Sequence, residues 1–161
     1  MLEQILMDIN NLFVVPDGRH AGEYSIKGGS IALDFLAEGQ YFWIKGSVFN
    51  DGLHVYPAAD LTDEDFDGVV IAMAVPRALI ALSDEIKAWV DKNGQESPYT
   101  SESFGGYSYS KATNSKGVAV GWRDVFAAQL APWKKPAGSW QYANPNPHMT
   151  PPEPHKDNPW R

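Results

Sequence analysis

Proline placement sets the first boundary on what this chain can fold into. Seven of its 12 prolines fall in the last 26 residues, Pro136 to Arg161. Proline donates no backbone N–H and fixes φ, so such a run forms neither a helix interior nor a central strand. The segment predicts an extended arm over 136–161, unfolded or polyproline-like when alone. It also carries Trp140, Tyr142 and Trp160, which a mere spacer does not need. The arm is therefore expected to order against a partner. The folded body must come from residues 1–135.

That body has enough apolar material for a core. The chain is 161 residues long, 43% hydrophobic and 12% aromatic, unlike a disordered composition. Lys plus Arg is 13 against 20 for Asp plus Glu, a formal charge of −7. A sequence-independent nucleic-acid binder needs the opposite balance to displace counterions. The chain has no cysteine, which excludes disulfide scaffolds, thiolate metal sites and a cysteine nucleophile. The opening Met1-Leu2-Glu3-Gln4-Ile5-Leu6 lacks a basic region and a long apolar run, so no signal peptide is expected. The longest apolar stretch, Val69 to Leu82, contains Arg77 and falls short of the roughly 20 residues that span a bilayer. No membrane association is expected.

Periodicity supplies the elements. Leu2, Ile5, Leu6, Ile9 and Phe13 predict a helix over about 2–13, closed by the turn Pro16-Asp17-Gly18. Residues 22–57 read as a β insert: Glu23 to Ile26, a Lys27-Gly28-Gly29 turn, Ser30 to Leu33, Gln40 to Phe49, an Asn50-Asp51-Gly52 turn and Leu53 to Tyr56. Thr62 followed by Asp63, Glu64 and Asp65 has the form of an N-cap and acidic first turn, with Leu61 and Phe66 at staple positions. This predicts a long buried helix over 63–93, kinked at Pro76. Its seam would be Ile71, Val75, Leu79, Leu82, Ile86 and Trp89. The Ser/Tyr-rich segment around Tyr107 and Tyr109 has strand-like alternation. Trp122, Val125, Phe126 and Leu130 predict a last helix over 122–131. The expected class is α+β: a small helical bundle of N-terminal, long buried and C-terminal helices, with an inserted small antiparallel sheet or partial barrel and an extended C-terminal arm.

Catalytic and ligand-binding patterns do not assemble. Asp63-Glu64-Asp65-Phe66-Asp67-Gly68 matches the first half of an EF-hand loop, but its twelfth position is Ala74, which cannot ligate. His20, His54, His148 and His155 have no metal-ligand spacing among them. Ser101-Glu102-Ser103-Phe104-Gly105 lacks the first glycine of a nucleophile elbow. The glycine pairs at 28–29 and 105–106 lack the Lys-Ser/Thr of a phosphate loop. Neither an enzyme nor a cofactor or metal site is expected.

Four strings in order suggest a family. They are Gly46-Ser47-Val48-Phe49-Asn50-Asp51-Gly52, Ala72-Met73-Ala74-Val75-Pro76, Ser101-Glu102-Ser103-Phe104-Gly105-Gly106-Tyr107-Ser108-Tyr109, and Trp122-Arg123-Asp124-Val125-Phe126 running to Leu130-Ala131-Pro132-Trp133-Lys134-Lys135. Over residues 1–135 the chain resembles the head–tail adaptor, or connector, proteins of long-tailed bacteriophages and prophages of Gram-positive hosts. The third and fourth strings are the most specific part.

The resemblance implies a non-enzymatic virion protein of the neck, made in the host bacterial cytoplasm. Such adaptors form a homo-oligomeric ring, commonly of twelve copies, on the portal protein. Genome DNA passes through the ring, and a stopper or other neck or tail protein docks below. Carried onto this chain, the expected portal or neighbour contacts are Trp122, Phe126, Leu130, Trp133, Lys134 and Lys135, with Trp140, Tyr142 and Trp160 of the arm. The expected inter-subunit or neck contacts are Ser101, Glu102, Phe104, Tyr107 and Tyr109, with Phe49, Asn50 and Asp51. A stopper or tail-completion role is the alternative within the neck. A small metal-dependent enzyme using Asp63 to Asp67 is the alternative outside it.

Overall fold

The structure is a computed structural model describing residues 1–93, the backbone of 101–104 and 107–110, and residues 120–136. It is α+β, with a four-stranded antiparallel sheet and several helices. The chain divides into two compact units. One comprises Met1–Asn11 with Pro76–Lys135, and the other is built on Leu12–Val75.

The second unit is the sheet. Strands β1 (Val14–Ile26), β2 (Tyr41–Lys45), β3 (Gly52–Val55) and β4 (Glu64–Met73) lie in the order β1-β4-β2-β3. β4 pairs antiparallel with both β1 and β2, from Ile26↔Glu64 to Val14↔Met73 on one side and from Lys45↔Val69 to Phe42↔Ala72 on the other. Phe42, Ile44, Val70 and Ala72 form the centre of one apolar cluster, joined by Ile26, Phe66 and the loop residues Ile31, Leu33 and Leu36.

The expected helix over 63–93 is therefore half strand. Val69, Val70 and Ile71 are β-branched, which favours a pleated strand. Val70, Ile71, Ala72 and Met73 are all buried, so successive side chains on both faces are covered. A strand covered on both faces reads as a continuous apolar run, and periodicity cannot separate that from a buried helix. Thr62 caps no helix, and Leu61 and Phe66 form no staple; both belong to the sheet core. Pro76 does not kink a helix either. Its carbonyl accepts the N–H groups of Leu79 and Ile80, immediately before α2 (Arg77–Asn93). That position suits a residue without an N–H. The preceding Val75 is held out of helical geometry by the proline.

Other boundaries shift for local reasons. Helix α1 is Leu2–Asp8, not 2–13. Asn10 takes φ 52°, and the N–H groups of Asn10 and Asn11 reach the carbonyls of Met7 and Leu6, a Schellman ending. Pro16-Asp17-Gly18 is not the end of an element but an irregularity inside β1, where the register slips between Val14 and Arg19; Asp17 has φ 53°. Such a bulge keeps the strand while bending it. Ser30 to Leu33 is not a strand: Ser30 makes one bridge to Lys27 across the glycine turn, and Ile31 and Leu33 reach the core from a loop. Gln40 to Phe49 narrows to Tyr41–Lys45.

In the helical unit, α2 buries Leu79, Leu82, Ile86 and Val90. Leu79, Leu82 and Ile86 fall on the expected seam, whereas Ile71 belongs to β4. The expected helix 122–131 is broken into α3 (Trp122–Val125), α4 (Ala127–Leu130) and a 3-10 turn, Ala131–Trp133. Phe126 lies at the break and packs edge-on against Trp89, ring centroids 6.4 Å apart. Val125, expected on the apolar face, is exposed. Trp133 and Lys135 are tied back to the end of α1. The Asn11 side-chain amide donates to the Trp133 carbonyl at 3.0 Å, and the Lys135 N–H donates to the Ile9 carbonyl at 2.8 Å. β5 (Ser101–Phe104) and β6 (Tyr107–Ser110) form an antiparallel hairpin.

Candidate functional site: a clamped apolar loop tip

The loop from Gly46 to Asp51 joins β2 to β3 and inverts the usual placement of side chains. Val48 and Phe49 are 80% and 68% exposed, whereas the polar Ser47 and Asn50 on either side are buried. A single exposed apolar residue is ordinary on a protein surface. Two adjacent ones on a loop fixed by buried polar groups are a more specific arrangement.

Glu64, the first residue of β4, holds the loop. One carboxylate oxygen accepts the Val48 N–H at 2.8 Å, and the other accepts the Phe49 N–H at 3.3 Å and the Ser47 hydroxyl. Together these hydrogen bonds satisfy the loop backbone with a charged acceptor, the strong kind of hydrogen bond. Ser47 is used twice, because its Oγ also accepts the Asn50 N–H at 2.7 Å. These bonds hold the Glu64 carboxyl below its ordinary pKa, led by the Ser47 hydroxyl and then the Val48 N–H.

Asn50 is the second support. Its side-chain amide donates to the Thr62 carbonyl at 2.9 Å and to Glu64 at 3.2 Å, while its Oδ1 accepts the Thr62 N–H at 2.7 Å. Its own carbonyl accepts from His54 Nε2 at 2.8 Å, which places the imidazole proton on that nitrogen. At the other end of the loop Asp51 accepts the Gly46 N–H at 3.0 Å. Gly46 has φ +95°, and a Cβ there would stand 3.2 Å from the Asp67 carbonyl and from Gly68 Cα. The tip is thus presented in one shape by its own base.

Asp51 lies on the loop and Asp63 just before β4, while Glu64, Asp65 and Asp67 lie in β4 itself; alternation puts Asp65 and Asp67 on the sheet face opposite Glu64. Asp63 accepts the Gly29 N–H at 2.8 Å, and this bond, with one from Gly28, lowers its pKa. Asp65 and Asp67 share an exposed face of the sheet with Ser25 and Glu23, which stand opposite them in register. Glu23 directly across from Asp67 is an unfavourable like-charge pair. The EF-hand-like run is therefore a strand entry whose acids serve as backbone acceptors or alternate along β4. Among the described residues no three His, Asp or Glu gather as a metal site.

The remaining expected contacts divide. Trp122, Phe126 and Leu130 are buried in the helical unit, so their apolar surface is used in its own packing. Trp133 is half-buried and Lys134 and Lys135 are exposed. Phe49 and Asp51 are exposed and Asn50 is buried beneath them. Ser101, Glu102, Phe104, Tyr107 and Tyr109 lie on the hairpin, of which only the backbone is described; Trp140, Tyr142 and Trp160 lie outside the described residues. Sequence reading chose Phe49 but missed Val48 and the clamp. Thr62 and Glu64 have the pattern of a helix start, and no local signal marks a carboxylate that reaches across 15 residues to Phe49.

Elsewhere the helical unit has a groove lined by Met7, Asp8, Lys87, Val90, Asp91 and Arg123 among others. Its cations are already engaged, Lys87 with Asp91 and Arg123 with Asp8. Among the described residues no helix is long and apolar enough to cross a membrane. Compared with protein-family models, curated proteins and solved structures, the chain matches none.

Proposed function

We propose that this chain is a virion structural protein of the phage neck: a head–tail connector that assembles as a ring on the portal and joins capsid to tail. The observation that carries the reading is the Val48–Phe49 tip. Its two apolar side chains contribute little to the sheet core, yet their backbone is clamped by Glu64, Ser47 and Asn50. A pre-ordered apolar projection suits protein–protein contact, because little conformational entropy remains to be lost on binding. It lies in the string Gly46 to Gly52, one of those that carry the resemblance to connector proteins. In this reading the helices form a small bundle into which the sheet is inserted, and residues 136–161 form the arm that reaches the portal. The mechanism is non-enzymatic: shape and apolar burial hold neighbours together, and the acidic surface disfavours adhesion to DNA in the lumen.

A stopper or tail-completion position in the same neck is the second reading, favoured by the placement of the tip on the sheet rather than on the helices. The test is a double variant, Val48→Ser with Phe49→Ser, supplied to the phage in place of the native chain. The reading expects a stable, folded protein whose particles accumulate as separate heads and tails. Normal yields of joined particles from the folded variant would overturn it. Failure of heads to join with the variant found on free tails would favour the second reading.

A further inference from the structure

The groove of the helical unit has the chemistry to receive a particular kind of segment. Met7 is 42% exposed and lines this space of about 830 Å³ together with Met1, Lys87, Val90, Asp91 and Arg123. The thioethers of Met1 and Met7 offer soft apolar surface, and sulfur makes favourable contacts with aromatic rings. Lys87 is paired with Asp91, and Arg123 with Asp8. A neutral occupant can lie over these pairs without leaving one charge buried and unmatched. The carboxylates keep further lone pairs with which to accept a hydrogen bond. The groove thus suits an uncharged segment whose aromatic side chains end in an N–H or O–H donor, as Trp and Tyr do.

The chain supplies such a segment beside the groove. The Lys135 N–H donates to the Ile9 carbonyl at 2.8 Å, and Ile9 directly follows the lining residues Met7 and Asp8. The next stretch, Ala137-Gly138-Ser139-Trp140-Gln141-Tyr142-Ala143-Asn144, is uncharged and free of proline, whereas six of the 17 residues after it are proline. Its backbone N–H groups are therefore all available for bonding. Gly138 eases a reversal of direction. From Lys135 to Trp140 the extended chain spans about 17 Å, and the seven residues of α1 rise only about 10 Å. Trp140 and Tyr142 can reach the whole length of the groove along α1.

We infer that Trp140 and Tyr142 of the free chain dock in the groove of their own body, against Met1 and Met7. The short tether selects the chain's own arm over that of a second copy, because it holds the arm at an effective concentration near the millimolar range. The docking stands without the connector reading. Where that reading holds, the portal must draw the two side chains out of the groove, so the latch is weak and adds little to the stability of the body.

The experiment places the photo-crosslinker p-benzoylphenylalanine at position 140 of the purified full chain, with position 160 as the control. Isotope-labelled and unlabelled chains are mixed before irradiation, and products are mapped by mass spectrometry. The expected product joins position 140 to the peptide of Met1–Asp8 or of Lys87–Asp91 within one chain, at a yield several-fold above that from position 160. A second readout is the rate at which dilute hydrogen peroxide oxidises Met7. It is expected to rise several-fold in the Trp140→Ser, Tyr142→Ser double variant and to stay native in Trp160→Ser. These substitutions lie outside the body, so they leave its folding in place.

Crosslinks from position 140 to the sheet unit, to residues 94–119 or to a second chain overturn the inference. So does a yield no higher than from position 160, or a Met7 oxidation rate indifferent to the double variant. Failure of the two proposals is separable, because the latch is read on the free chain and the connector role on particles. A latched chain absent from the virion upholds this inference and sinks the connector reading; an unlatched chain found in the neck does the reverse.

Discussion

At the scale of single residues, the loop depends on a few polar side chains rather than on its apolar tip. Asn50 alone satisfies both the N–H and the carbonyl of Thr62. Asn50→Ala leaves these two backbone groups without their partner and is expected to destabilise the sheet unit by about 1–3 kcal/mol, measured by urea unfolding. The Val48→Ser, Phe49→Ser double variant should stay within about 0.5 kcal/mol of the native chain, since both side chains are mostly in water. If the double variant were the more damaging of the two, the tip would be a core element and not a projection.

Protonation tests the same clamp. Glu64 and Asp63 are held below their ordinary values of 4.5 and 3.8 by hydrogen bonds that the unfolded chain lacks. A carboxyl with a lowered folded-state pKa binds its proton less readily folded than unfolded. Its contribution is complete above the unfolded value and is lost as pH falls through the folded one. Stability and the protection of the Val48 amide should therefore hold from neutral pH down to about 5 and decline below the usual carboxylate range. Amide exchange followed from pH 7 to pH 3 measures this, after correction for intrinsic rates. Protection of Val48 that persisted with Glu64 protonated would remove the carboxylate from the account.

Among the elements, β4 is where sequence and structure diverge most, and the reasons are physical. Thr62-Asp63-Glu64-Asp65 has the composition of a helix start because the same short polar side chains that cap helices also accept backbone N–H groups in loops. Here Asp63 receives Gly29 and Glu64 receives Val48, both far along the chain. The run after it is apolar on both faces because both faces of β4 are covered there: Val70, Ile71, Ala72 and Met73 are all buried. One residue spoke against a helix. Gly68 would be costly within a helix, and in the strand it lets two backbones meet: a Cβ there would stand 2.3 Å from the Lys45 carbonyl oxygen. Gly68→Ala must push β2 away from β4 and is expected to cost about 1–3 kcal/mol. Thermal unfolding checks this, with Gly22→Ala as the comparison because nothing lies within 4 Å of a Cβ at that site. Equal costs at both glycines would contradict the pairing of β2 with β4. Elements with a strong local signature were legible: the Lys27-Gly28-Gly29 turn, with φ of 60° and 76° at its glycines, and the seam Leu79, Leu82 and Ile86 of α2. The clamp was not, because it is assembled from β4 and the β2–β3 loop.

For the whole molecule, the end of the described residues is tied back to the end of α1. Trp133 and Lys135 are hydrogen-bonded back to Asn11 and Ile9, and the proline-rich segment follows. Truncation after Lys135 keeps both bonds. The expectation is a protein with native unfolding behaviour that no longer supports joining of heads to tails, read by particle counts and thermal unfolding together. Truncation after Pro132 removes both bonds and should destabilise the helical unit as well. Joined particles at native yield from the Lys135 truncation would show that the arm is not the portal anchor.

The most direct test of the connector reading is the structure of the assembled virion neck at side-chain resolution. The connector reading expects this chain in a ring beneath the portal, with residues beyond Pro136 lying along the portal or a neighbour and with Val48 and Phe49 buried against an adjacent subunit or neck protein. A neck that lacks the chain, or one in which the chain is present with Val48 and Phe49 facing solvent, would contradict it.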